Sequence, residues 1–384
     1  MQVISKDSII TSLNKIAQNG TDDVEIADLI DVGNQDYMNY FESEVIENLI
    51  AKGGATCKFI EGAYGAGKTH LLNLIYKKAL SKGMLVAFTT LDSAVSLTDW
   101  KLVVEYILEN VEYRHEGITY KSLPEILTFA GERLVDGRQK EILKSAKLPS
   151  ASFKNAILLA LNKKNLNNEA WEVVKEYLVG RKVNVQTFKS VGIYNVKASL
   201  SKSNAENVLK TVLSSLHILG FKGVVLLFDE NERMLSGFGG RISRRNQLAA
   251  NLMRRLIDGC SSGALEGVLI VFSVLPDFIS QVANRYEALA QRLQIIKGEN
   301  KWIGWRIPFQ KVDSVNTLRD NPQSFMDSMV EAYLRLAKNF GILDDDFKKE
   351  VINSCVMVLR RNVGSGYKRE LAKTIATMIL ERMR

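Results

Sequence analysis

Proline is scarce in this chain, with 5 in 384 residues, and cysteine is scarcer, with 3. So little proline leaves no proline-rich linker or low-complexity tract to account for. Cys57, Cys260 and Cys355 are isolated and odd in number. They offer neither a disulfide framework nor a zinc spacing, and buried thiols in a reducing cytoplasm are the plain reading. No apolar run approaches bilayer length, and the opening MQVISKDSII lacks a signal-peptide stretch. A cytoplasmic protein without membrane contact is therefore expected. Histidine is limited to His70, His115 and His217. No Ser/His/Asp or Cys/His arrangement emerges, which argues against protease or nuclease chemistry.

What is present is the composition of an ordinary globular protein, 46% hydrophobic and 24% charged. The length suits one large domain or two moderate ones. Lys and Arg number 51 against 43 Asp and Glu, a net +8, which permits a polyanionic partner without requiring one. Between Arg233 and Arg255 stand Arg233, Arg241, Arg244, Arg245, Arg254 and Arg255, with no acidic residue among them.

Ile9, Ile10, Leu13 and Ile16 recur at helical spacing, and a second amphipathic helix is read over Tyr37–Lys52 before Gly53-Gly54 ends it. Residues 55–61 (ATCKFIE) read as a strand, His70–Lys82 as a helix and Met84–Leu91 as a second strand, the order of a βαβ unit. From about 96 to 207 the pattern turns helical. Strand signals return at Gly223–Phe228 and Gly267–Val274, both nearly all apolar and so suited to burial on two faces. A weaker strand falls at Ile303–Pro308, and three helices close the chain.

The first strand and helix flank Gly62-Ala63-Tyr64-Gly65-Ala66-Gly67-Lys68-Thr69, a full match to GxxxxGK[ST] in the context that motif needs. Its glycines let successive N–H groups point at phosphate oxygens, and the helix that follows adds the positive end of its dipole. Lys68 is expected to reach the β- and γ-phosphates of ATP and Thr69 to ligate Mg²⁺. His70 follows on the same helix and reads most simply as packing at the nucleotide site. The strand VVLLF delivers Asp229 and Glu230 to the C-terminal edge of the sheet, where α/β proteins bind ligands. Asp229 is expected to hold Mg²⁺ and Glu230 to polarise the attacking water.

An adjacent Asp-Glu pair points to an AAA+-like ATPase rather than a phosphotransferase. On that reading Ser273, near a strand end, is either a γ-phosphate sensor or an ordinary polar strand terminus. Arg369, opening the last helix, is the candidate lid arginine, with Lys368 as its competitor. Arg292 is the candidate arginine finger acting in trans, with Arg285 as its rival; either is otherwise a surface charge.

Together these segments resemble the BrxC/BrxD-like ATP-binding proteins of BREX-type bacterial phage-defence systems. The residues that carry the resemblance are SIITSLNKIAQNG, the Asp31-Val32-Gly33 turn, GGATCKFIEGAYGAGKTHLL, LLFDENERML, the block from NLMRRL to VLPDF, YEALAQRL and GYKREL. The resemblance implies an AAA+-type ATPase related to origin-recognition and helicase-loader proteins. It would act as a motor or switch on DNA, through self-association or with a partner ATPase or effector of a defence operon. It also implies that Val32-Gly33 lies against the adenine. Three departures accompany it. The turn reads Val-Gly-Asn, where related ATPases commonly have Val-Gly-Arg. Lys68 and Asp229 are 161 positions apart, so roughly 100 residues form an insert between the two motifs. The sequence ends at Arg384, and no winged-helix domain is expected after the lid.

The fold expected is therefore α/β, an AAA+-like P-loop NTPase with a parallel sheet. Its parts would be N-terminal helices (1–54), the first part of the core (55–95), a helical insert (96–207), the second part of the core (208–320) and a helical lid (321–384). Arg241, Arg244 and Arg245 in a glycine-flanked loop are the candidate DNA contacts. The competing reading is a nucleotide-dependent switch that recruits an effector protein without touching nucleic acid.

Overall fold

The computed structural model describes residues 4–21, 23–92, 95–229, 244–276, 286–293, 305–308, 321–361 and 366–383. Among them is one seven-stranded sheet: β1 Ala55–Glu61, β2 Leu85–Thr90, β3 Glu112–His115, β4 Ile118–Lys121, β5 Val224–Asp229, β6 Val268–Val274 and β7 Arg306–Pro308. The spatial order is β4-β3-β2-β5-β6-β1-β7. Strands β2, β5, β6, β1 and β7 run parallel, whereas β3 and β4 form an antiparallel hairpin against the edge of β2. Two strands thus separate in the sheet what the chain connects directly, since β5 and β6 lie between β2 and β1.

Alternation along the central strands sorts their side chains between two cores. Val224, Leu226 and Phe228 of β5, with Val268, Ile270 and Phe272 of β6, enter the core that the helical insert covers. Val225 and Leu227, with Leu269 and Val271, enter the core on the opposite face. That second core is closed by α2 (Gln35–Asn39, continuing as a π-helical stretch Tyr40–Glu47) and α3 (Lys68–Ser81), whose Leu71, Leu72 and Ile75 are fully buried. Each such aliphatic contributes on the order of 1.5–3 kcal/mol by leaving water. The same alternation turns the next residues of these strands, Asp229 and Ser273, toward the face on which α3 begins.

Residues 96–207 are mainly helical, with α4 Trp100–Asn110, α5 Leu123–Arg133, α6 Gly137–Ser145, α7 Ala151–Ala160, α8 Asn168–Leu178 and α9 Val185–Ser190. The hairpin β3–β4 within this stretch departs from the helical expectation. Its strands have four residues each, too short for alternation to be read in the sequence. Helices α10 Ala205–Ile218 and α11 Arg244–Ser261 complete the cover of that face, and α12 Glu287–Arg292 packs beside α11.

The last three helices, α13 Pro322–Lys338, α14 Asp345–Arg361 and α15 Tyr367–Arg382, share a third core with α1 Lys6–Asn19. Ser5 caps α1 by accepting from the Ser8 N–H, and Ile9, Leu13 and Ile16 bury one face against Leu371, Ile375 and Ile379. The first helix of the chain is therefore packed on the last. Among the described residues, no helix is long and apolar enough to cross a membrane.

Candidate nucleotide site

β1 runs into the glycine-rich loop at the edge where β5 and β6 also end. Gly62 donates its N–H to the Val274 carbonyl at 3.0 Å, which fixes the loop's exit from the sheet. Gly65 and Gly67 take φ of 77° and 96°, a region closed to most side chains, and the loop curls there into the first turn of α3. Its N-cap residue is Gly67, which has no side chain to cap the leading N–H groups. Lys68 is buried, and its ammonium donates to the carbonyls of Gly62 at 2.8 Å and Ala63 at 3.1 Å. The cation is held across the mouth of its own loop.

Parallel pairing of Phe228 with Phe272 brings Asp229 alongside Ser273. Asp229 is 4% exposed; its Oδ2 accepts from the Thr69 hydroxyl at 2.7 Å and its Oδ1 from the Ser273 hydroxyl. Burying a carboxylate costs less where hydroxyls donate to it, as both do here. On the other face, the stacked rings of Phe59, Phe272 and Phe228 support the strand ends, with centroids 5.1 and 5.0 Å apart.

The opposite wall of the cleft comes from the two ends of the chain. Ile30, Val32 and Asn34 line it from the N-terminal side, and Phe325, Met329, Tyr333 and Ala372 from the C-terminal helices. Gly33 sits between Val32 and Asn34 with φ 80°. His70 lines the cleft and reaches Asp31 Oδ1 through Nε2 at 3.0 Å. Asp31 also accepts from Asn34 Nδ2 at 2.5 Å. The carboxylate orients the Asn34 amide, whose Oδ1 is buried and has no hydrogen-bond partner among the described residues.

Arg369 and Lys368 both line the cleft. Lys368 lies 4.4 Å over the Phe325 ring. Arg369 donates from Nε to the Asn19 carbonyl at 2.8 Å, stacks 5.4 Å from the Tyr64 ring and bonds the Tyr64 hydroxyl. It thus joins the last helix, the end of the first and the glycine-rich loop.

Other candidates lie elsewhere. Arg292 is engaged with Asp258 on α11, through Nη2 at 3.1 Å, and donates to the Ala288 carbonyl at 2.6 Å. It does not line this cleft. Glu230, Arg241 and Arg285 fall outside the described residues, as do the side chains of Arg244 and Arg245 at the start of α11. The apolar wall from α13 and α15 went unread in the sequence because its residues share the helical spacing of the core-facing positions beside them.

The fold defines an α/β protein with this cleft at the C-terminal ends of parallel strands. A family model described as BREX system ATP-binding protein BrxC/D matches residues 5–123 and 133–363, and the chain belongs to that family. Membership assigns it ATP binding within a phage-defence system. No curated protein and no solved structure matches the chain.

The cleft fits the nucleotide that the family name implies. Its loop end offers N–H groups and the Lys68 ammonium to phosphates, and its far wall is apolar enough for a base. Asn34 stands on that wall, and its buried Oδ1 has no hydrogen-bond partner among the described residues.

Proposed function

We propose that this protein is an AAA+-type P-loop ATPase that hydrolyses ATP with Mg²⁺ as a motor or switch in DNA-linked phage defence. The observation that carries the reading is the convergence of Thr69, Asp229 and Ser273 beside Lys68, from three elements separate in sequence. In it, Lys68 leaves its loop carbonyls for the β- and γ-phosphates, while the Gly65–Thr69 N–H groups cradle them. Thr69 and Asp229 are the metal-holding pair, and Mg²⁺ when bound offsets charge on the phosphates. Ser273 keeps Asp229 oriented, and Glu230, next in sequence, polarises water. Arg369 reports the nucleotide to the lid, and Val32, Gly33 and Asn34 receive the base.

The division into an N-terminal helical segment, a two-part core, an insert and a lid is part of this proposal. So are a finger role for Arg292 in a neighbouring site, DNA contact by Arg241, Arg244 and Arg245, a partner from the same defence operon, and a cytoplasmic location. Glu230→Gln tests the hydrolytic claim. The variant is expected to bind ATP and to turn over at least about 10²-fold more slowly, the scale of a lost general base. Turnover at the wild-type rate would remove the role from Glu230.

A further inference from the structure

Positive charge is not spread evenly along this chain. Residues 137–222 hold 15 Lys and Arg against 5 Asp and Glu, a net +10 where the whole chain has +8. The rest is slightly acidic. Four of those five acids are already engaged by cations of the same body: Glu141 by Lys144, Glu172 by Lys175, Glu176 by Arg181 and Glu206 by Lys210. Exposed Lys147, Lys164, Lys189 and Lys197 have no acidic partner among the described residues. Such a segment carries positive charge that its own acids do not cancel.

The fold brings Lys197 beside the start of α7 and leaves Lys164 just past its end. The Ser152 hydroxyl accepts from the backbone N–H groups of Lys197 and Ala198 at 3.0 and 3.2 Å, and Asn155 donates to the Asn195 carbonyl at 2.7 Å. These bonds pin residues 195–198 against the helix. Lys154 of the same helix donates to the carbonyls of Lys144 and Ala146 at the end of α6, which brings the Lys147 turn to α7 as well. A groove between the start of α8 and residues 191–195 is lined by Asn165, Asn167, Gly192 and Asn195, next to Lys164. The ten residues of α7 set the two lysine ends about 15 Å apart. Tyr194 lines the groove and is 69% exposed, more than any other large hydrophobic side chain among the described residues.

We propose that this face of the insert is a track for single-stranded nucleic acid, with phosphates on the lysines and a base stacked on Tyr194. Lysines spaced along a groove neutralise successive phosphates, amide side chains can bond base edges, and an exposed ring accepts any base on its face. An acidic protein partner would use the same charge but has no need of the ring. The inference rests on the proposed action on DNA and assigns it to a surface distinct from the arginine segment 241–245.

The test is fluorescence anisotropy of the full chain with an oligo-dT probe and with a duplex of equal length, over a series of salt concentrations. Wild type is expected to bind oligo-dT more tightly than duplex. Lys147→Glu/Lys164→Glu/Lys189→Glu/Lys197→Glu is expected to lose binding at moderate salt, and the Lys→Ala version to flatten the log–log slope by up to about 0.7 per lysine. Tyr194→Ala, which leaves the charge intact, is expected to weaken binding about tenfold without changing the slope. The melting temperature and ATP affinity of each variant are the fold controls. Two results overturn the proposal while sparing the action on DNA: unchanged oligo-dT affinity in the lysine variants, or loss on Arg241→Ala/Arg244→Ala/Arg245→Ala alone. A wild type that binds neither probe overturns both. Preference for duplex with no effect of Tyr194→Ala overturns the single-strand track.

Discussion

Thr69 donates its hydroxyl proton to Asp229 at 2.7 Å, across 160 positions of sequence. The contact exists because β1 and β5 end at the same edge with β6 between them, and because alternation turns Asp229 toward α3. Asp229→Asn keeps the shape and removes the charge that a divalent cation needs. The variant is expected to fold and to bind ATP similarly with or without Mg²⁺, whereas wild type binds more tightly with it. Retained Mg²⁺ dependence, followed by calorimetry, would place the metal elsewhere.

Asn34 presents a buried acceptor because its amide nitrogen is committed to Asp31. Asn34→Leu is expected to cost roughly tenfold in ATP affinity, the scale of one lost hydrogen bond of about 1–1.5 kcal/mol, while leaving GTP affinity nearly unchanged. Competition binding with the two nucleotides reads the ratio. Equal losses for both would make Asn34 a packing residue.

Arg369 holds the last helix to the first through Asn19 and to the loop through Tyr64. Gly20, with φ 65°, sits so close to the Arg369 side chain that an added Cβ would collide with it. Gly20→Ala and Arg369→Ala are therefore expected to share a phenotype, namely ATP binding retained and turnover reduced several-fold or more. Steady-state hydrolysis checks this, and a silent Arg369→Ala would confine the arginine to a structural role.

Lys58 is buried on β1, and burial lowers its pKa to about 8 from the usual lysine range. The unfolded chain then binds more protons than the folded one between about pH 8 and 10.5. Stability from this group therefore rises as pH rises through that window and is penalised below it. Lys58→Met is expected to raise the melting temperature by a few degrees at pH 7, with the gain shrinking toward pH 10. A pH-independent difference would remove the charge from the explanation.

The loop, Asp229 and the buried strands were legible because each is a contiguous motif whose spacing carries its chemistry. The far wall of the cleft was not. Phe325, Met329, Tyr333 and Ala372 stand on helices whose neighbouring positions, Val330 and Leu371 among them, fill an ordinary core, and spacing alone cannot say which residue meets a ligand. The His70–Asp31 contact joins positions 39 apart through a short turn, which no periodicity encodes. Ser273 stood open between sensor and strand end. Its bond to Asp229 makes it part of the carboxylate's surroundings, visible only once the register of β5 on β6 is known.

Nucleotide binding by Lys68→Ala tests the central claim most directly. The ammonium, buried and aimed at its own loop, is the one side-chain charge that the account assigns to the β- and γ-phosphates. Titration of wild type with ATP should show saturable binding. Lys68→Ala, with an unchanged melting profile, should show none at the concentrations that saturate wild type. A folded Lys68→Ala protein that binds ATP as wild type does would contradict the assignment of this cleft.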